Sequence, residues 1–134
     1  MLESSQLANL QTLFWIYLFN AVILIVHEID SAYWKEWQLF HLPGGLAGFL
    51  IIHLPLLSLV LYGLVLVALG THWGLFFSLV LGIAGLCAFS IHTLFILRGH
   101  AEFRKPVSLG ILLGTFLLSV VQIIVTLTAW KLVN

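Results

Sequence analysis

Four long apolar stretches limit what this chain can fold into, because each is long enough to cross a lipid bilayer. A spanning helix needs about 20 predominantly apolar residues, and the stretches lie at about residues 7–30, 45–69, 73–97 and 107–132. Only 7% of the residues are charged, against about 25% in a soluble domain. The sequence therefore predicts an all-α polytopic membrane protein, a single transmembrane domain over residues 1–134, folded as an up-and-down bundle of four transmembrane helices.

The charge balance and the cysteine content exclude several classes of partner and site. The formal net charge is zero, so no basic surface is available for nucleic acid. The single Cys87 excludes a disulfide framework and an all-thiolate metal site. Membrane lipid is the expected partner. Gly44 and Gly48, and likewise Gly110 and Gly114, have the small-xxx-small spacing that predicts a homodimer through small-residue helix faces.

The distribution of cations predicts the orientation in the membrane. The loops after the first and third stretches lie on one side, and they contain Lys35, Arg98, Arg104 and Lys105. The other side has only Lys131 among the side-chain cations. Because cytoplasmic loops are enriched in Lys and Arg, we expect these two loops in the cytoplasm and both termini outside.

Two helices have faces that should turn away from lipid. The fourth stretch has a polar stripe, formed by Thr115, Ser119, Gln122 and Thr126. The third has a face of small residues that ends in a histidine, formed by Ser78, Gly82, Gly85, Ala88 and His92. Small residues let neighbouring helices approach closely, so both faces are predicted to pack inside the bundle.

Three histidines from three different helices reach a similar depth on one side of the membrane. At a rise of 1.5 Å per residue, His53 lies roughly 12 Å below the surface, His92 roughly 9 Å and His27 at most about 12 Å. Ionisable residues inside a membrane are costly and indicate function. His41 and His72 are interpreted as interfacial residues without chemistry. The clustering predicts one shared site.

Imidazole and carboxylate ligands together suit zinc or iron. We expect His27, His53, His92 and Glu28 to bind such a divalent metal, with Glu28 also the catalytic residue, because a general base needs hydrogen-bond reach to a bound water.

Other polar residues are predicted to support this centre. Asp30 shares a helical stripe with His27 and is expected to accept its ring N–H and orient it. Asn20 and Ser31 lie on the same stripe. Further candidates are His100 and Glu36, which lie in the two loops above the histidines.

The function expected from these residues is a membrane metalloenzyme, acting near the cytoplasmic face on a lipid or another apolar substrate. Two alternatives stay open. His53 and His92 could hold a b-type haem in an electron carrier, or the histidines and carboxylates could relay protons or ions. The zinc-protease HExxH pattern is absent, since the residue four after His27 is Ser31.

The segment from His27 to Trp37, together with Leu42-Pro43-Gly44, resembles a group of small uncharacterised bacterial four-helix membrane proteins with a His-Glu-x-Asp motif. It is also loosely similar to the membrane proteins named for a His-x-x-Glu-Glu motif. The spacing here departs from that motif, because Asp30 and Ser31 occupy the positions of the two glutamates. The resemblance implies a bacterial membrane protein, which we expect in the inner membrane, and it transfers no activity.

Overall fold

The computed structural model describes residues 4–100 and 102–133, so the chain ends Met1 and Asn134 lie outside it. Within this described part every regular element is a helix: α1 (Ser4–Tyr33), α2 (Glu36–Leu39), α3 (Gly45–Ala68), α4 (His72–Leu97) and α5 (Pro106–Val133). Among them, α1, α3, α4 and α5 are long and apolar enough to cross a membrane. The predicted all-α class with four transmembrane helices is confirmed.

Local sequence explains the turn between α3 and α4. Gly70 adopts a left-handed conformation with φ of 64°, which glycine adopts without steric cost and which ends α3. Thr71 then caps α4: its hydroxyl accepts a hydrogen bond from the Gly74 N–H at 3.0 Å and donates one to the Leu66 carbonyl at 3.0 Å. This turn brings α4 back antiparallel to α3.

The four long helices form a closed ring in which α1 contacts α3 and α5, and α4 contacts the same two helices. The loop at residues 34–44, which contains α2, and the loop at residues 98–105 lie at one end of this ring. We call it the two-loop end. His27, His53 and His92 all lie in the halves of their helices nearest to it.

A hydrogen-bonded network, called here the polar core, joins α1, α4 and α5. Asn20 donates from Nδ2 to Gln122 Oε1 at 2.8 Å and to Ser119 Oγ at 3.3 Å. Gln122 donates from Nε2 to the Ser78 carbonyl at 3.0 Å. The Ser78 and Thr126 hydroxyls lie 2.8 Å apart. All five residues are buried, which confirms the predicted inward stripe of α5.

The predicted small-residue face of α4 packs against α5. A Cβ added at Gly85 would run into the Ser119 side chain and approach Thr115, and one at Gly82 would meet Ile123. These two glycines therefore allow the close approach on which the polar core depends. Gly48 serves a different purpose, because a Cβ there would run into the Pro43 carbonyl within the same chain.

The α3 helix buries fewer residues in the bundle than α4 does. Its buried residues are Phe49, Gly63 and Val67, whereas α4 buries seven residues. Gly63 marks a close crossing, since a Cβ there would run into the Tyr17 hydroxyl and the Phe77 Cβ. Between this crossing and the two-loop end, α3 and α4 enclose open space.

Candidate functional site

A cavity of about 500 Å³ lies between α3 and α4 and is also lined by α1 and α2. Tyr17 and Phe77 line its deep end, next to the Gly63 crossing. Its walls are apolar, and polar groups line it toward the two-loop end. The five ionisable His and Glu residues that line it are His27, Glu28, Glu36, His53 and His92.

Glu28 and His53 form the best-defined contact in this site. Glu28 Oε2 lies 2.7 Å from His53 Nε2, and His53 Nδ1 lies 2.7 Å from the Phe49 carbonyl oxygen. A carbonyl only accepts hydrogen bonds, so Nδ1 carries a proton and Nε2 is the nitrogen that can exchange one with Glu28. Phe49 also stacks on the imidazole with a centroid distance of 3.8 Å. The ring is therefore fixed in both orientation and tautomer.

His92 is at the centre of a second group. Its Nε2 lies 3.7 Å from Glu36 Oε1. Its ring meets the His27 ring edge-on at 4.6 Å between centroids and the Phe103 ring at 4.3 Å. His92 is 2% exposed, and among the described residues its Nδ1 has no hydrogen-bond partner. A buried imidazole nitrogen without a partner is costly, and a water or a bound molecule at this position would satisfy it.

Glu36 reaches the cavity because of the short helix α2. Lys35, before α2, and His41, after it, both have positive φ, 55° and 54°. Such values are uncommon outside glycine, and they turn the chain sharply at each end of the helix. Burial raises the pKa of the Glu36 carboxyl above its usual range. Among the His and Glu residues that line the cavity, Glu36 is the one contributed by a loop.

The structure thus brings His27, His53, His92 and Glu28 to one cavity, as the shared-site hypothesis requires, together with Glu36. Among the described residues no three or more His, Cys, Asp or Glu side chains are arranged to hold a metal ion. Both nitrogens of His53 are engaged with other groups. The zinc or iron centre and the haem alternative stay predictions.

Two of the residues expected to support the centre, Asp30 and Asn20, have other hydrogen-bond partners. The Asp30 carboxylate accepts a hydrogen bond from Ser108 at 3.0 Å, which differs from the expected bond to His27. Asn20 belongs to the polar core, about 10 Å along α1 from His27 at 1.5 Å per residue. Ser31 is fully buried, and within the described part its hydroxyl has no hydrogen-bond partner.

His100 lies outside the cavity lining. It pairs with Glu102 at 3.6 Å and packs on Phe95. This pair is partly exposed at the two-loop end.

Sequence reasoning missed Tyr17. This residue is fully buried, and its hydroxyl donates to the Val60 carbonyl at 2.8 Å, which ties α1 to α3 at the deep end of the cavity. A usable signal was present, because tyrosine in membrane proteins is enriched at the interfaces and Tyr17 lies well inside its helix. Phe49 gave no comparable signal, since an apolar ring in an apolar helix is not distinctive.

Comparison with known proteins identifies the family. The model of a family of unknown function (DUF6713) matches residues 13–129. The chain belongs to this family. No curated protein and no solved structure matches it. The family match covers α3, α4, most of α1 and α5, and every residue that lines the cavity. The looser similarity to the His-x-x-Glu-Glu proteins stays a prediction.

Proposed function

We propose that this protein binds a lipid or another apolar molecule from the bilayer in the cavity between α3 and α4, and exchanges protons with the polar end of that molecule. The observation that carries the proposal is the Glu28–His53 pair, which opens onto an apolar cavity within the membrane. Carboxylate–imidazole pairs are common general acid–base groups. With Nδ1 fixed by the Phe49 carbonyl, one proton can be shared between His53 Nε2, Glu28 and a bound molecule.

The position of the cavity supports entry from the lipid. Its lining includes large apolar side chains that are exposed, namely Leu56 on α3 with Val80 and Ile91 on α4. Along α4 the lining runs from Phe77 to His92, about 22 Å at 1.5 Å per residue. Half of a bilayer's hydrocarbon core is about 15 Å thick. An apolar chain from one leaflet therefore fits along the cavity.

Photo-crosslinking tests the binding step. The protein in nanodiscs is illuminated with a long-chain alcohol that carries a diazirine on its chain, and the labelled peptides are identified by mass spectrometry. We expect labelling between Leu56 and Val60 and between Ala84 and Ile91. Ala84→Trp should fill the cavity and remove this labelling. Ile83→Trp, at the adjacent exposed position that does not line the cavity, should retain it. Equal labelling in both variants would overturn the proposal.

Infrared difference spectroscopy tests the proton exchange. Addition of the alcohol should change the carboxyl and carboxylate bands of the wild-type protein. We expect Glu28→Gln to abolish this change. Glu102→Gln, a carboxylate at the same end that does not line the cavity, should leave it intact. If the Glu28 variant shows the same alcohol-induced change in these bands as the wild-type protein, a role for this pair is refuted.

A metal centre is the second candidate, favoured by the partnerless Nδ1 of buried His92 beside the His27 ring. Zinc binds imidazole nitrogen at about 2.0–2.1 Å. If zinc or iron is bound by the three histidines, His27→Ala, His53→Ala and His92→Ala should each lower the metal content to near zero. His72→Ala should leave it unchanged. A metal-free wild-type protein without a Soret band would exclude both this centre and the haem alternative.

We also propose that the two-loop end faces the cytoplasm of a bacterial cell, on the basis of the cation distribution. A reporter fused after Asn134 should then be active only outside the cytoplasm. Activity inside would reverse the orientation and place the cavity's polar end in the outer leaflet.

A further inference from the structure

We infer that the molecule bound in the cavity is a lipophilic amine, with a positively charged ammonium group at the polar end and a single alkyl chain. This inference rests on the proposed function, since it specifies the class of molecule that the cavity takes. It follows from the charge of the lining, the place of the carboxylates and the shape of the apolar part.

The lining holds two groups that can become negative and, within the described part of the chain, no permanently positive side chain. Two carboxylates, Glu28 and Glu36, line the cavity, and none of the chain's five Lys and Arg residues does. An unpaired charge inside a membrane is costly, so ionised carboxylates there need a positive partner. His53 and His92 can each neutralise one carboxylate, but only by taking up a proton. A bound ammonium supplies the same charge directly, whereas an anionic lipid headgroup would add repulsion.

The hydrogen-bonding groups fit an ammonium as well. Glu28 contacts His53 through Oε2, so its Oε1 can accept from a bound molecule. Glu36 approaches from α2, and Phe40, which follows α2, adds an aromatic ring to the same lining. A primary ammonium has three N–H donors to satisfy, and cations are attracted to aromatic rings within about 6 Å. A hydroxyl has one donor and can donate to only one of the two carboxylates at a time.

The apolar part of the lining limits the rest of the molecule. Leu56 and Leu59 of α3 and Ala84 and Ala88 of α4 face one another across the cavity. A volume of about 500 Å³ lies within the range of 300–1,000 Å³ that is typical of small-molecule sites. Together with the length along α4, this volume favours one extended chain over a two-chain phospholipid.

Cys87 provides a native reporter for the test. It is the only cysteine of the chain, it lines the cavity, and it is exposed enough to react. The protein is placed in nanodiscs of zwitterionic lipid, and alkylation of Cys87 by a membrane-permeant maleimide is followed by mass spectrometry. Protection from alkylation is measured with an alkyl amine, an alcohol and a fatty acid of equal chain length.

We expect half-maximal protection at a roughly tenfold lower concentration of amine than of alcohol, because hydrogen bonds between charged groups are stronger than those of a neutral hydroxyl. The fatty acid should protect least. Glu28→Gln combined with Glu36→Gln should bring amine and alcohol to within about twofold of each other. The alcohol should still protect, which shows that the cavity is intact. Glu102→Gln should retain the preference for amine.

Three outcomes would count against the inference in different ways. Equal protection by all three probes would overturn the preference for a cation and leave the proposed function standing. A preference that survives the double substitution would overturn the assignment to these carboxylates. No protection by any probe, with Cys87 still reactive, would overturn both the inference and the proposed function.

Discussion

Buried polar groups have different surroundings on the two sides of the bundle. In the polar core between α1, α4 and α5, amides and hydroxyls pair with one another, and the helices approach through glycine. On the α3 side, titratable groups line an open cavity, and α3 buries only three residues. Groups that satisfy one another in a closed interface stabilise the fold. Groups that can change their protonation beside an open space are available for a ligand.

The largest effect is expected from a substitution that disrupts the close packing of the polar core. Gly85→Leu should lower the free energy of unfolding by about 3 kcal/mol, at the upper end of the usual cost of overpacking, because its side chain would run into Ser119. Gly110→Leu is the matched control, since a Cβ at Gly110 meets nothing within 4 Å. Denaturant titration in mixed micelles measures both. Equal losses of stability in the two variants would show that close packing at Gly85 contributes nothing special to the fold.

A smaller loss is expected when the network loses its central amide. Gln122→Leu removes the hydrogen bonds with Asn20 and Ser78, and it should cost about 2 kcal/mol, since an unsatisfied buried group costs about 1–3 kcal/mol. Cys87 protection by an amine should be unchanged. Thr128→Val is the control, because this exposed hydroxyl bonds only within α5, and it should cost under about 0.5 kcal/mol. Loss of amine protection without loss of stability would contradict the division between the two sides.

Tyr17 links the two sides of the bundle, because it connects α1 to α3. Tyr17→Phe deletes the hydrogen bond to the Val60 carbonyl and should cost about 1 kcal/mol, the usual net value of one such bond. The ring still fills its place, so labelling of the cavity by the diazirine alcohol should persist. A loss near 3 kcal/mol would show that α3 depends on this bond more than its packing indicates.

The smallest expected effect is a change in pH dependence. Because the pKa of Glu36 is raised by burial, its charge is lost at a higher pH than for an exposed glutamate, and binding of a quaternary ammonium should weaken as the pH falls. His27, Glu28, His53 and His92 line the same cavity and also contribute. Glu36→Gln should make the loss of affinity at low pH about threefold smaller. An effect of this size is typical of a partly accessible ion pair. An identical pH profile in this variant would exclude Glu36 from the ammonium site.

The fold was largely predictable, because hydropathy over about 20 residues specifies a spanning helix. The inward stripe of α5 and the small-residue face of α4 were predictable for a related reason, since polar and small residues avoid lipid. The looser position of α3 could not be predicted. Apart from His53, Ser58 and Tyr62 its sequence is apolar, and such uniform hydropathy does not distinguish a side that packs against the bundle from one that borders a cavity.

The site was predictable in part. Counting residues from the helix ends placed His27, His53 and His92 at one end of the bundle, and the cavity brings them together. The contribution of Glu36 depends on a four-residue helix between two positive-φ residues, and so short an element has no periodic pattern. The hydrogen-bond partner of Asp30 is Ser108, 78 residues away. The sequence offers no rule for predicting this partner instead of His27, which lies on the same stripe of α1.

The close crossing at Gly63 closes the deep end of the cavity. There α1, α3 and α4 meet so closely that a single added carbon would run into Tyr17 and Phe77, and the Tyr17 hydroxyl is committed to the Val60 carbonyl. The cavity is therefore a dead end in this conformation. If the cavity binds a molecule as proposed, that molecule has to leave the way it came, so we expect exchange with one leaflet and no conduction to the other.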